Sequence, residues 1–358
     1  MKVIGKILKG IGVVLLVVLI AALAYAAYVF LSYYRIGDKE LPVSNAVTES
    51  AETGKEMKLV SWNIGFGAYT QDFSFFMDGG TQSWAKSKED LDRNMTWIAE
   101  DLADEKADFY MVQEVDFDST RAYHVDEREY MIRKLPGYSH TFAQNYDSPF
   151  LFYPFYQPHG ASKSGLLTFS KYTITGAFRK EVPVESGFTK ILDLDRCYSV
   201  NRVKLKAGNE LVLYNVHLSA YTSDGKITSE QLRLLIKDMQ NEYNRGNFCI
   251  AGGDFNKDML GNSGEIFGTD YSGSSWAQPI PDEIFEGTGI NKIVPFDPGH
   301  PVASCRTAGQ PYTPGQCVLT VDGFLVSDNV KVTGSDVIDK EYMCSDHNPV
   351  YLKFILEE

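Results

Sequence analysis

Phe248-Cys249-Ile250-Ala251-Gly252-Gly253-Asp254-Phe255-Asn256 is an apolar run that stops on two glycines, a carboxylate and an amide. Such a run reads as a buried strand closed by a turn, which sets Asp254 and Asn256 at the strand's end. Its counterpart is Ser345-Asp346-His347-Asn348-Pro349, where the polar groups come first and the apolar run Val350 to Ile355 follows. Acids, amides and an imidazole gathered at strand ends, where a cleft can collect them, are the layout expected of a metal-assisted phosphoester hydrolase.

Further elements appear on either side of these two segments. Lys58-Leu59-Val60-Ser61-Trp62-Asn63 reads as a strand ending on Asn63, followed by the flexible Gly65-Phe66-Gly67. Ser87 is placed to cap a helix in which Leu91, Met95, Ile98 and Leu102 recur at helical spacing. A strand from Asp108 to Gln113 then brings up Glu114. Leu166 to Phe169, Val200 to Leu205 and Leu211 to Val216 read as strands, the last delivering Asn215 and His217. Thr228-Ser229-Glu230-Gln231 has the capping-box pattern and opens a helix with Leu232, Leu235, Ile236, Met239 and Tyr243 on one face. Val318 to Val326 supplies a late strand. Strands and helices intermix without a repeat, so the expected class is a layered α/β domain.

The N-terminus reads differently. No charged residue occurs from Gly10 to Tyr34, and Ile11 to Leu31 is long enough, at about 1.5 Å per residue, to cross a hydrocarbon core of roughly 30 Å. Lys2, Lys6 and Lys9 precede the run, so the positive-inside rule puts the N-terminus in the cytoplasm and the rest of the chain outside. Tyr25, Tyr28, Tyr33 and Tyr34 near the far end suit an interfacial belt. The expected plan is therefore a basic tail over 1–9, a transmembrane signal anchor over 10–34, a linker over 35–56 and a catalytic domain over 57–358. A cleaved signal peptide is the rival reading, because Ala22-Leu23-Ala24 and Ala24-Tyr25-Ala26 resemble cleavage sites.

The 358 residues carry a formal net charge of −13 and no basic run, which speaks against a long footprint on a nucleic-acid backbone held by bulk charge. A divalent ion in the cleft can reverse that field locally, so an acidic nuclease stays open. The five cysteines form no metal-type pattern. Cys305 and Cys317 flank a Pro/Gly-rich loop, and either a disulfide in an extracytoplasmic domain or buried thiols fit that spacing.

Phosphoester cleavage needs the phosphoryl oxygens neutralised, a water oriented and the leaving oxygen stabilised. Mg²⁺ takes hard oxygen ligands, keeps several waters and uses one or two carboxylates, so Glu114 and Asp346 suffice for it. Asn63 and Asn256 can hold a ligand or phosphate without adding charge. Asp254 can orient a water, and His347 is the right type for proton transfer. An imidazole acting in one tautomer needs a carboxylate behind it, and Asp322 is the residue expected there.

Ser61-Trp62-Asn63, Val112-Gln113-Glu114, Tyr214-Asn215-Val216-His217-Leu218, Gly252-Gly253-Asp254-Phe255-Asn256, Val321-Asp322-Gly323 and Ser345-Asp346-His347-Asn348-Pro349 together resemble, in order, the motif series of the endonuclease/exonuclease/phosphatase superfamily. The resemblance runs from about Lys58 to the C-terminus. It implies a four-layered α/β sandwich with two facing β-sheets between outer helices. It also implies Mg²⁺ or Mn²⁺ at Glu114 with help from Asn63 and Asp346, and phosphate contact by Asn256 and His217. Asp254 would orient the water, and Asp322 would pair with His347; within the superfamily the proton of that water is assigned either to Asp254 or to His347, with His347 favoured here. Gly160 to Ser170 resembles the family's glycine-containing strand beside the site, which brings Lys163 toward the phosphate, with Arg121 and His124 weaker candidates. His124, His140, His159 and His300 are otherwise expected in loops or at the surface.

The superfamily spans nucleases, sphingomyelinases, inositol-phosphate phosphatases and deadenylases. A Cys-Asp-Arg expected of inositol 5-phosphatases at the fifth motif is replaced by Val321-Asp322-Gly323, which lowers that reading. The expected activity is a phosphodiesterase acting outside the membrane on nucleic acid or phospholipid head groups. A phosphomonoesterase and a catalytically inactive binding module on the same fold are the alternatives. Aromatic residues crowd Thr70 to Trp84 and Tyr146 to Tyr156; they can stack bases or sugars, dip into an outer leaflet, or pack on the domain itself.

Overall fold

In this computed structural model, residues 2–184, 195–220, 226–269 and 277–357 are described. In chain order the strands are β1 (Lys39–Glu40), β2 (Val43–Ser44), β3 (Glu56–Asn63), β4 (Phe109–Asp116), β5 (Ser139–Asp147), β6 (Lys163–Ser170), β7 (Ile174–Glu181) and β8 (Cys197–Lys204). They continue with β9 (Glu210–His217), β10 (Phe248–Asp254), β11 (Ile290–Ile293), β12 (Cys305–Arg306), β13 (Val318–Leu319), β14 (Asp322–Ser327), β15 (Val330–Val337) and β16 (Val350–Leu356). The α-helices are α1 (Lys2–Ser32), α2 (Lys88–Asp104), α3 (Arg128–Lys134), α4 (Lys226–Tyr243) and α5 (Ser263–Phe267).

Two seven-stranded sheets form, in the orders β1-β7-β8-β9-β10-β14-β11 and β15-β16-β3-β4-β6-β5-β2. Their inner faces meet through Leu59, Phe109, Met111, Leu211, Leu213, Ile250, Phe324, Leu352 and Phe354, all buried. Such strands carry apolar side chains on both faces, because each sheet is covered on its other side too. Leu91, Met95, Ile98 and Leu102 of α2 pack on Trp62, Tyr110 and Val112. Leu232, Leu235, Ile236 and Met239 of α4 pack on Val212, Tyr214, Cys249 and Ala251. The result is the expected α/β sandwich of helix, sheet, sheet and helix.

Local chemistry sets the element ends. The Ser87 side chain accepts from Asp90 N at 3.0 Å, the N-cap expected from the sequence. α4 starts earlier than the capping box implies: it begins at Lys226, and Thr228 lies inside it, donating through its hydroxyl to Ser219 O at 2.9 Å. At Gly253, φ is +146° and an added Cβ would stand 2.0 Å from Val216 O, so only glycine lets β10 lie this close to β9.

Short pieces of the stretch 35–56, read as a linker, lie along the sheets. β1 adds to β7, β2 adds to β5, and Ala51 N donates to Lys204 O at 2.9 Å. Strands of two residues carry no periodicity that a sequence reading can catch. Ahead of them, Val3–Ser32 is long and apolar enough to cross a membrane, and its most apolar window is unburied by the rest of the chain, so it is no core helix.

Candidate active site

β3, β4, β9 and β10 finish at the same end of the sandwich, and their last residues form the floor of the site. Parallel pairing sets Asp254 beside His217, and antiparallel pairing sets it beside Asp322. Glu114 sits in a register shift between β4 and β6, with φ at +56°. A bulge of this kind re-aims one side chain out of the ladder, and a non-glycine residue held at positive φ is a strain often found at functional positions. Asn256, at φ +49°, is the second such residue in the cluster.

Asn63 links the acids: its Nδ2 donates to Glu114 Oε1 at 3.0 Å and to Asp254 Oδ2 at 3.1 Å, while its Oδ1 accepts from Gly65 N at 3.0 Å. His217 Nε2 lies 3.6 Å from Asp254 Oδ2 and 3.9 Å from Glu114 Oε1. Its Nδ1 is buried without a hydrogen-bond partner among the described residues, and burial, aided by the Arg196 and His347 charges, holds its pKa well below the usual histidine value. His217 is thus neutral at physiological pH.

His347 shows the pairing expected of it. Its Nδ1 meets Asp322 Oδ2 at 2.7 Å, and Ser304 Oγ donates to the same oxygen at 2.7 Å. Its Nε2 points toward Asp254 Oδ2 at 3.8 Å and Cys305 Sγ at 3.5 Å. Burial opposes the charged imidazole, yet the adjoining Asp322 carboxylate and Cys305 outweigh it and raise its pKa well above the usual value. Asp254 is also shifted upward, by burial first and by the Asp322 charge, against the opposing pull of His347. The loop itself is fixed from several sides: Trp62 Nε1 donates to His347 O at 2.8 Å, Ser345 Oγ donates to Asn63 O at 2.7 Å, and Arg306 N donates to Asp346 O at 2.9 Å.

Burial and the neighbouring Asp346 charge raise the Glu114 carboxyl. The Glu114 carboxylate with the Asp346 charge beside it, together with the Asn63 amide, makes a hard oxygen donor set that fits a divalent ion of the Mg²⁺ type. Among the described residues no three His, Cys, Asp or Glu side chains come close enough to hold an ion by themselves, so such an ion would keep water ligands.

The remaining candidates divide. Asn256 is in the cluster, its backbone N donating to Asp254 Oδ1 at 2.8 Å and its Nδ2 donating to Leu218 O at 2.8 Å. Lys163 and His124 gather instead around the exposed Asp118, at 3.2 and 2.7 Å. Arg121 is buried, pairs with both oxygens of Asp116 at 2.8 and 2.9 Å, and lies 3.8 Å over the Phe66 ring, so it braces the loop beneath Glu114. His159, expected in a loop or at the surface, is buried against Phe75 and Phe76, which drives its pKa down to about 3. The Cys305–Cys317 bridge is not formed, because Cys305 keeps a thiol whose Sγ lies against Arg306 O and His347.

Ser304 and Cys305 carried no motif signal and reach the site only because their strand segment pairs with the His347 loop. Asn215, read as a strand-end residue, joins the two sheets below the site: its Oδ1 accepts from Gln113 Nε2 at 2.7 Å and its Nδ2 donates to Leu167 O at 3.1 Å. Its place in the Tyr214–Leu218 motif marked Asn215, but an amide within an apolar strand gave no sign that it would bridge the sheets.

A two-sheet sandwich with clustered acids, amides and a carboxylate-backed histidine at one end defines a hydrolase-type fold and site. The Endonuclease/Exonuclease/phosphatase family profile matches residues 60–347, and the chain belongs to that family. Its fold is similar to an endonuclease/exonuclease/phosphatase from Beutenbergia cavernae DSM 12333, at 17% identity and TM-score 0.58, covering 85% of this chain and 72% of that one. It is also similar to ANGEL2, a 2′,3′-cyclic phosphatase, at 15% identity and TM-score 0.55, covering 89% and 99%. A family protein from Leptotrichia buccalis C-1013-b aligns at 14% identity and TM-score 0.53, covering 83% and 99%. No curated protein matches the chain by sequence.

Proposed function

We propose that this protein is a divalent-metal-dependent phosphodiesterase, anchored in the cell membrane by α1, that acts outside the membrane on nucleic acid or on phospholipid head groups. The observation that carries the reading is the chain of contacts Asp322–His347–Asp254, set beside the Glu114 and Asp346 carboxylates. ANGEL2, which this chain resembles in fold, is a 2′,3′-cyclic phosphatase, and that is compatible chemistry.

Each residue then has a task. Mg²⁺ or Mn²⁺ held by Glu114 and Asp346 with Asn63 would supply the positive charge that neutralises the phosphoryl oxygens. Asp322 holds the His347 ring by Nδ1 and keeps Nε2 turned toward Asp254. The attacking water gives its proton to the free acceptor of this His347–Asp254 pair as its oxygen bonds to phosphorus, and that proton then goes to the departing oxygen as the ester bond breaks. Asn256 and the neutral His217 are the amide and imidazole that can hydrogen-bond a phosphate oxygen without adding negative charge. Lys163 reaches an incoming phosphate only by leaving Asp118.

Two substitutions separate chemistry from metal binding. His347→Ala should lower turnover by about 10²- to 10⁴-fold, the usual worth of general acid–base catalysis, and leave the stabilisation by Mg²⁺ in a thermal melt intact. Glu114→Ala should reduce both. Normal turnover by His347→Ala would refute the role given to that residue.

A further inference from the structure

Among the described residues, the sandwich meets the apolar helix near the helix's outer end. Tyr25 Oη of α1 accepts from Phe152 N at 3.0 Å and donates to Phe150 O at 3.1 Å, and Tyr28 Oη accepts from Phe150 N at 3.1 Å. The Tyr25 ring also meets the Phe152 ring edge-on at 5.7 Å. Tyr25 lies two turns, about 10 Å of rise, before the helix's last residue Ser32. The β5–β6 loop therefore reaches back along the helix to a level inside its apolar stretch.

From Ser148 to Gly160 this loop contains no charged residue, and it displays Phe152, Tyr153, Phe155 and Tyr156 to the outside, Phe155 being 82% exposed. Four neighbouring exposed aromatics are unusual on a water-facing loop and typical of groups that sit at a membrane–water interface. The backbone groups of Phe150 and Phe152 that point to the helix are paired by the two tyrosine hydroxyls, which removes the main penalty for placing loop backbone near hydrocarbon. The link between helix and domain is short and held: Arg179, fully buried, donates to Ile36 O, to Gly37 O at 3.1 Å and to Gln144 O at 2.8 Å. The strand directions place this junction. Glu181 ends β7 and Asp147 ends β5 at the same end of the sandwich at which β4, β9 and β10 deliver Glu114, His217 and Asp254.

We infer that the Phe150–Tyr156 loop is a bilayer-docking surface that, with the outer end of α1, seats the active-site end of the domain against the lipid head groups. The inference rests on the reading of α1 as a membrane span. It gives a membrane-borne phosphoester direct access to Glu114, Asp254 and His347, whereas a long polyanion would have to approach between the domain and the bilayer.

Depth measurement tests this without turnover. The full chain is reconstituted in phosphatidylcholine vesicles carrying nitroxide-labelled lipids, with an environment-sensitive fluorophore on Val17→Cys, Phe155→Cys or Lys331→Cys and the unsubstituted chain's signal subtracted. Phe155 and Lys331 are both exposed, so neither change opens the buried core, and Lys331 lies at the opposite end of the sandwich. The expected result is deep quenching at position 17, shallow-depth quenching at 155 several-fold above that at 331, and a blue-shifted emission at 155. Quenching at 17 with a water-like signal at 155 equal to that at 331 would overturn the docking surface alone. No quenching at 17 would overturn the span and the docking surface with it, while leaving the hydrolase reading untouched.

Discussion

At the scale of single residues, the site turns on how one imidazole is held. Asp322 takes Nδ1 at 2.7 Å and is itself held by Ser304, so Nε2 has one direction to face. Asp322→Asn keeps the shape but removes the charge that supports the imidazolium, and turnover should drop by at least about 10²-fold with little change in metal affinity; a steady-state assay beside a metal titration checks this. The pair was legible in the sequence, because Val321-Asp322-Gly323 and Ser345-Asp346-His347 each place a polar group at the edge of an apolar run. Ser304 and Cys305 were not, since nothing in their own neighbours tells that they will lie alongside His347. The burial of His159 was equally hidden, because a lone histidine between a proline and a glycine looks like a turn residue until Phe75 and Phe76 close over it.

At the scale of elements, legibility followed periodicity. α2 could be read from its cap and its four apolar positions, and the structure buries all of them against the sheet. Ser87→Ala should cost about 1 kcal/mol, which for a domain of this size is a loss of about 2–4 °C in melting temperature, with kcat unchanged because the cap lies outside the site. β1 and β2 escaped notice because two residues cannot show alternation, yet they tie the segment after α1 to both sheets. The β4 bulge was hidden for a related reason: Val112-Gln113-Glu114 reads as an ordinary strand end, and only pairing with β6 shows that Glu114 is turned out of register.

At the scale of the whole molecule, one buried histidine ties stability to pH, against the opposite pull of the raised carboxyls of Asp195 and Glu127. His159 has a folded pKa near 3 against about 6.5 unfolded, so the folded state refuses a proton that the unfolded chain accepts. Its contribution is complete above about pH 6.5 and is lost as pH falls toward 3, by up to about 1.4 kcal/mol per pH unit. His159→Gln should flatten that part of the stability curve in urea melts at pH 4 and 6. A steep dependence retained in the variant would place the effect elsewhere, with the buried neutral His217 the next group of the same sign.

The overall arrangement joins a family fold, a carboxylate-backed histidine and an apolar helix entering at the active-site end. The most direct test of the chemistry is one assay series: the purified full chain against DNA, RNA, sphingomyelin and phosphoinositides, with the divalent ion chelated and then restored by Mg²⁺ or Mn²⁺. Cleavage of at least one phosphodiester that disappears on chelation and returns with the ion is the predicted result. A folded protein that cleaves none of them, or one whose cleavage is indifferent to chelation, would contradict it.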